Sequence, residues 1–146
     1  MSFETRTGEF KPHENTDYWR RRPSLAAPRL SHRGGRGLFA LVPIASGSVI
    51  DRACTVEIAE AQSRPLDAMR PIGDYYFAHP ENPRAGLMAF GLMSFCNHAD
   101  LASADLRWTK DDALGWIADL VALKPIAASE EITYRYRCPL WFSVES

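Results

Sequence analysis

Lysine is scarce in this 146-residue chain: Lys11, Lys110 and Lys124 are the only three, so arginine carries nearly all of the basic charge. The 17 basic side chains stand against 18 acidic ones, a formal net charge of −1. That balance speaks against wholesale electrostatic binding to nucleic acid or to an anionic membrane. Cysteine is equally sparse. Cys54, Cys96 and Cys138 are far apart and form no CxxC pair, a pattern that reads as reduced cytoplasmic thiols rather than a disulfide framework or a zinc centre. No apolar run approaches the length needed to span a bilayer, and the N-terminus lacks an apolar signal core. Internal repeats and low-complexity segments are missing too.

What is present fits one soluble globular domain: 46% hydrophobic and 24% charged residues, at a length near the modal domain size. Ten prolines and nine glycines spread along the chain predict many short elements and turns, a β-rich fold rather than a helical bundle. Residues 1–30 read as a polar N-terminal arm, residues 31–142 as the domain, and residues 143–146 as a tail. The arginine run Arg20-Arg21-Arg22 reads as a solvated face. Within the domain, strands are expected from residue 38, after the glycine turn, to about 42, and over 49–58, 74–79, 86–90 and 132–136. Residues 104–109 and 114–123 form a hairpin about Lys110-Asp111-Asp112, with Leu106 and Trp108 alternating on one arm. Residues 59–69 have a helical pattern that Pro65 is expected to break.

The stretch Gly91-Leu92-Met93-Ser94-Phe95-Cys96-Asn97-His98 stands out, because an apolar run ends there in an amide and an imidazole. A buried run carries Asn97 and His98 inward with it, where buried polar groups must find partners. Either both close a turn, or something polar docks against them. A second feature, Gly35-Arg36-Gly37, lets backbone approach a ligand closely. It equally suits a tight turn before a strand. Cys96 and His98, two apart on a strand, share a face and would suit a nucleophile and its base, though they match no catalytic-cysteine signature.

Three motifs in this order resemble the SET domain of protein-lysine methyltransferases. Gly35-Arg36-Gly37-Leu38-Phe39-Ala40, with Ile44 and Gly47 following, is similar to the family's opening motif. Phe95-Cys96-Asn97-His98 resembles its Asn-His motif. Glu130-Glu131-Ile132-Thr133-Tyr134-Arg135-Tyr136 resembles its closing motif. Asp74-Tyr75-Tyr76-Phe77 and residues 86–93 look like the short stand-alone bacterial members. The run after His98 departs from the family by lacking its Pro-Asn pair.

The resemblance implies a mainly β fold: small antiparallel sheets with a few short helices, and a C-terminal segment threaded as a pseudoknot. It implies an S-adenosyl-L-methionine-dependent enzyme that methylates a lysine of a protein or peptide substrate. The alternative is an inactive SET-like scaffold that binds a partner. By the same resemblance Tyr136, Asn97 and His98 stand at the reaction centre. Gly35, Arg36, Gly37, Tyr76 and Trp141 join Asn97 and His98 around the cofactor, and Tyr134 and Trp108 wall the lysine channel. Glu130 and Glu131 are expected to serve as turn and strand-partner residues. So short a domain would be completed by its own hook, Pro139-Leu140-Trp141-Phe142, or by a second copy in a homodimer.

Overall fold

A computed structural model describes residues 23–136. The arginine run 20–22, Cys138 and the 139–142 hook lie outside the described residues. Among the described residues nine strands dominate. They are β1 (Ala26–Leu30), β2 (Arg36–Ala40), β3 (Val49–Ile58), β4 (Tyr76–Ala78), β5 (Gly86–Ala89), β6 (Asn97–His98), β7 (Ala104–Asp111), β8 (Gly115–Ala122) and β9 (Glu131–Tyr134). Eight follow one another in the order β1-β2-β9-β7-β8-β3-β5-β4, and β6 pairs off this path with β9. The mainly β expectation holds. No helix among the described residues is long and apolar enough to cross a membrane.

The long strands pair side by side, and the middle one, β8, is buried at nearly every position, on both faces. β3 pairs antiparallel with β8 through Ala53↔Ala118 and Cys54↔Ile117, and its far half pairs with β5 through Val56↔Met88. β7 and β8 form the expected hairpin over eight residue pairs, from Ala104↔Ala122 to Asp111↔Gly115. Its turn is closed by the Asp111 side chain, whose Oδ1 accepts the Ala113 and Leu114 amides at 2.7 and 2.9 Å. Gly115, at φ 75°, supplies the left-handed residue that such a turn requires. Side chains from one face of these strands meet in a core that includes Leu38, Ile50, Leu106, Leu120, Ile132 and Tyr134.

Two expectations need correcting. Ala26–Leu30, placed in the arm, forms β1 and pairs with β2 from Ala26↔Ala40 to Leu30↔Arg36. Ala26 is buried in the core, while the remaining strand residues sit at an exposed edge where Pro28 is tolerated. Pro65 does not break the helix. α1 runs Glu60–Asp67 with the proline inside it. The helix ends two residues later, and Gln62 Oε1 accepts the Ala59 amide at 3.1 Å to cap its start.

The closing strand decides where chemistry can occur. β9 pairs antiparallel with β2 (Leu38↔Ile132) on one side and parallel with β6 and β7 on the other. Ser103 and Thr133 lock this join reciprocally: the Ser103 amide donates to Thr133 Oγ1 at 3.3 Å and the Thr133 amide to Ser103 Oγ at 3.1 Å. Three distant stretches of sequence thereby become neighbours.

Candidate active site

Asn97 and His98 are delivered by the 3₁₀ turn Leu92–Phe95, which is pinned by the buried side chain of Met93. From β3, Asp51 Oδ2 accepts the Met93 amide at 2.9 Å and so satisfies a donor that a short turn leaves open. Burial pushes the Asp51 carboxyl above its ordinary 3.8, against lowering by the Met93, Leu92 and Arg52 amides, and the Asp119 charge raises it further. The folded state therefore holds this proton more tightly than the unfolded chain does. Its stabilising contribution is fully present below about pH 3.8 and is lost as pH rises through the raised folded value. Asp51→Asn keeps an acceptor for Met93 and removes the titration. The melting temperature of the variant relative to the wild type should therefore climb as pH rises from about 3.8 through the raised folded value. A difference that stays flat across that range contradicts the assignment.

Beyond β6 the chain returns as β9 and brings Tyr136 to His98. The Tyr136 amide donates to His98 Nδ1 at 3.0 Å, and His98 Nε2 lies 3.1 Å from Asp100 Oδ1. An N–H pointing at Nδ1 requires that nitrogen to be the acceptor, so Nε2 carries the proton of the neutral ring. The two rings pack edge to face with centroids 5.3 Å apart. The Tyr136 hydroxyl donates to the Cys96 carbonyl at 2.8 Å. Tyr136 is thus held at both its backbone and its ring end.

Asn97 faces β2. Its Nδ2 donates to the Arg36 carbonyl at 3.1 Å and to Glu131 Oε1 at 2.8 Å. The approach is close enough that a Cβ on Gly37 would lie 3.0 Å from Asn97 Nδ2 and would collide with the Glu131 carboxylate. Glycine is required there for space. The Arg36 side chain is held by the Tyr75 hydroxyl at 3.2 Å and lies over the Phe95 ring, 4.8 Å from its centre.

Arg36, Tyr75, Phe95, Asn97 and Tyr136 line one groove of about 1430 Å³. Its floor includes Gly35, Arg36, Cys96, Asn97, Tyr134 and Tyr136, and its far wall is α1 with Tyr75, Tyr76 and residues 83–85. Tyr76 lies flat over β5 because Gly86 carries no Cβ to meet its ring, and its hydroxyl donates to Asp67 on α1. Aromatic faces, backbone amides and both signs of charge line one concave surface, which is larger than a drug-sized ligand needs.

The family model for the SET domain matches residues 35–137. The chain belongs to the SET domain family. A curated relative from Schizosaccharomyces pombe, the histone-lysine N-methyltransferase specific for H3 lysine 37, is 27% identical over 127 residues, which cover 85% of this chain and 83% of that protein. Among solved structures, a candidate histone methyltransferase of Plasmodium falciparum has a TM-score of 0.65 at 23% identity, covering 82% of this chain and 99% of its own. An autoinhibited PRC2 assembly bound to S-adenosylmethionine has a TM-score of 0.64 at 20% identity, covering 78% of this chain but 15% of that one. The SET domain described here is accordingly a transferase with the fold of these structures.

Of the residues singled out in the SET sequence motifs, Gly35, Arg36, Tyr76, Asn97, Tyr134 and Tyr136 line the groove. Gly37 and His98 stand immediately behind it, one making room for Asn97 and the other holding Tyr136. Trp141 lies outside the described residues. Trp108 does not reach the groove; it packs from β7 against Phe77, with ring centres 6.0 Å apart, beside the core. Leu106 and Trp108 point the same way two residues apart, so the strand carries Trp108 onto the core face.

Cys96 and His98 do not form a nucleophile and base. The Cys96 thiol is buried, and burial followed by the Asp51 and Glu131 charges pushes it far above the ordinary thiol range. His98 Nδ1 is taken by Tyr136 and Nε2 faces Asp100. Sequence reading did not anticipate three parts of the site. These are the α1 wall, the Tyr75 hydroxyl beside Arg36, and Glu131 against Asn97. The aromatic run Asp74-Tyr75-Tyr76-Phe77 was a usable signal for the second.

Proposed function

We propose that this SET domain transfers a methyl group from S-adenosyl-L-methionine to the side-chain amine of a lysine in a protein substrate. The observation that carries the reading is the convergence on one groove of Gly35, Arg36, Asn97 and Tyr136, which come from the three sequence motifs that resemble the family's. The Schizosaccharomyces pombe relative's specificity for a histone lysine supports a lysine acceptor. The S-adenosylmethionine-bound structural neighbour supports the cofactor.

The donor set fits that cofactor. Arg36 offers a cation for a carboxylate, Asn97 a polar amide, and Phe95, Tyr75, Tyr134 and Tyr136 offer ring faces that attract a cation or stack on a base. When bound, S-adenosylmethionine supplies a methyl group activated by its sulfonium, so the chain's own work is to bind, align and exclude water. Alignment of attacking nitrogen, methyl and sulfur is a large share of the barrier reduction. The ring of Tyr136, anchored through Cys96 and His98, would orient the incoming amine. Lysine must attack as the neutral amine, although its ordinary pKa is about 10.4. Aromatic walls that desolvate the ammonium favour the neutral form. Cys54 and Cys96 are both free thiols, in keeping with a cytoplasmic location.

Incubating the protein with methyl-tritiated S-adenosylmethionine and lysine-containing proteins tests the reaction. Label should enter the proteins, and it should be lost when their lysines are blocked beforehand by acetylation. Label that survives blocking, or never enters, refutes lysine transfer.

A further inference from the structure

Glu131 opens β9, and nothing in methyl transfer itself asks for a carboxylate there. Its side chain is nevertheless only 7% exposed, and every described polar neighbour that faces it is a donor or a cation. Ser31 Oγ lies 2.9 Å from each carboxylate oxygen, Asn97 Nδ2 donates to Oε1 at 2.8 Å, and Arg33 Nε lies 3.4 Å from Oε2. The His32 ring is farther, at 3.9 Å. Ser31 and Arg33 both belong to the turn between β1 and β2, so this turn grips the carboxylate from one side while Asn97 takes it from the other.

The consequence falls on the orientation of the Asn97 amide. That amide has two N–H bonds. One points at the Arg36 carbonyl and the other at the Glu131 carboxylate. A carbonyl and a carboxylate can only accept, so turning the amide over would set its oxygen against two acceptors. The NH₂ end is fixed in the wall, and the oxygen is left for the groove.

We infer that Glu131 is a positioning residue: it locks Asn97 with its carbonyl oxygen toward the groove, and so makes the site select a ligand that presents a charged N–H donor. On the proposed function, on which this inference rests, that donor is the α-ammonium of the cofactor's amino-acid end. Glu131 does not line the groove. It acts through Asn97, and Ser31 and Arg33 act through Glu131.

Glu131→Gln tests this with almost no change in shape. A glutamine there can turn its own NH₂ toward Asn97, which removes the charged one of the two acceptors that fix the asparagine amide and leaves the Arg36 carbonyl as its only lock. The probes are S-adenosylhomocysteine, which carries the α-ammonium, and 5′-methylthioadenosine, which keeps the nucleoside but lacks the amino-acid end. In calorimetric titrations of the full chain, the variant should bind S-adenosylhomocysteine about tenfold more weakly, the loss of one charge-assisted hydrogen bond. Its affinity for methylthioadenosine should match the wild type. Ser31→Ala, which strips a donor from the carboxylate and leaves the groove untouched, should show the same split on a smaller scale and serves if the glutamine variant fails to fold. Equal weakening of both ligands would mark Glu131 as merely structural, and no change in either would remove its role; each overturns the inference. Wild-type protein that binds neither ligand would instead sink the cofactor reading itself.

Discussion

Tyr136→Phe is expected to slow methyl transfer about a hundredfold at saturating cofactor, the scale on which small losses of alignment cost rate, while cofactor affinity changes little. The reason is local. The hydroxyl donates to the Cys96 carbonyl at 2.8 Å, the ring packs against His98 and Tyr134 at 5.3 and 5.4 Å, and the amide is tied to His98 Nδ1. Removing one oxygen leaves the packing and the backbone tie intact. It frees the ring end at the floor of the groove and deprives the Cys96 carbonyl of this donor. Single-turnover measurement separates the rate from the binding step. An unchanged rate would show that the phenol does not order the reacting groups.

Gly37→Ala should act on the other half of the site, with cofactor affinity lowered roughly a hundredfold and stability lowered by about 1–3 kcal/mol, the usual cost of overpacking. The added Cβ collides with the Glu131 carboxylate and presses on Asn97 Nδ2. Neither neighbour is free to retreat: Glu131 is gripped by Ser31 and Arg33, and Asn97 is bound to the Arg36 carbonyl. Both must shift, and the Asn97 oxygen moves with them. Urea denaturation and ligand titration of the variant read the two effects separately. Wild-type values for both would mean that the glycine is there only for the strand.

These two residues also show how much could be read without a structure. The Gly35-Arg36-Gly37 turn, the Asn97-His98 pair and the β9 strand leading to Tyr136 were legible because each is a short local signal, and their order brought the resemblance with it; the strand itself ends at Tyr134 rather than reaching Tyr136. Strand β3 was legible end to end, since residues 49–58 are bounded by Gly47-Ser48 on one side and the α1 start on the other. Strand β1 was not. Ala26–Leu30 contains Pro28 and Arg29, buries only Ala26, and owes its conformation to the β2 ladder.

Trp108 is a different case. Two readings competed for it, and the period-2 alternation with Leu106 gave the core position that the structure shows, whereas the motif comparison drew it into the channel. Glu131 is the clearest limit. Its neighbours Ser31 and Asn97 are 100 and 34 residues away in sequence, and only the pairing of β9 with both β2 and β6 brings them together. No local pattern distinguishes such a carboxylate from an ordinary strand-opening residue.

One groove, framed by Gly35, Asn97 and Tyr136, is proposed to take S-adenosyl-L-methionine. Calorimetric titration of the wild type and of Asn97→Ala tests it most directly. The wild type should bind one equivalent at about micromolar strength, within the ordinary range for enzyme ligands, and the alanine variant should bind at least tenfold more weakly. A wild type that takes up no cofactor, or an Asn97→Ala protein that binds as tightly as its parent, would contradict it.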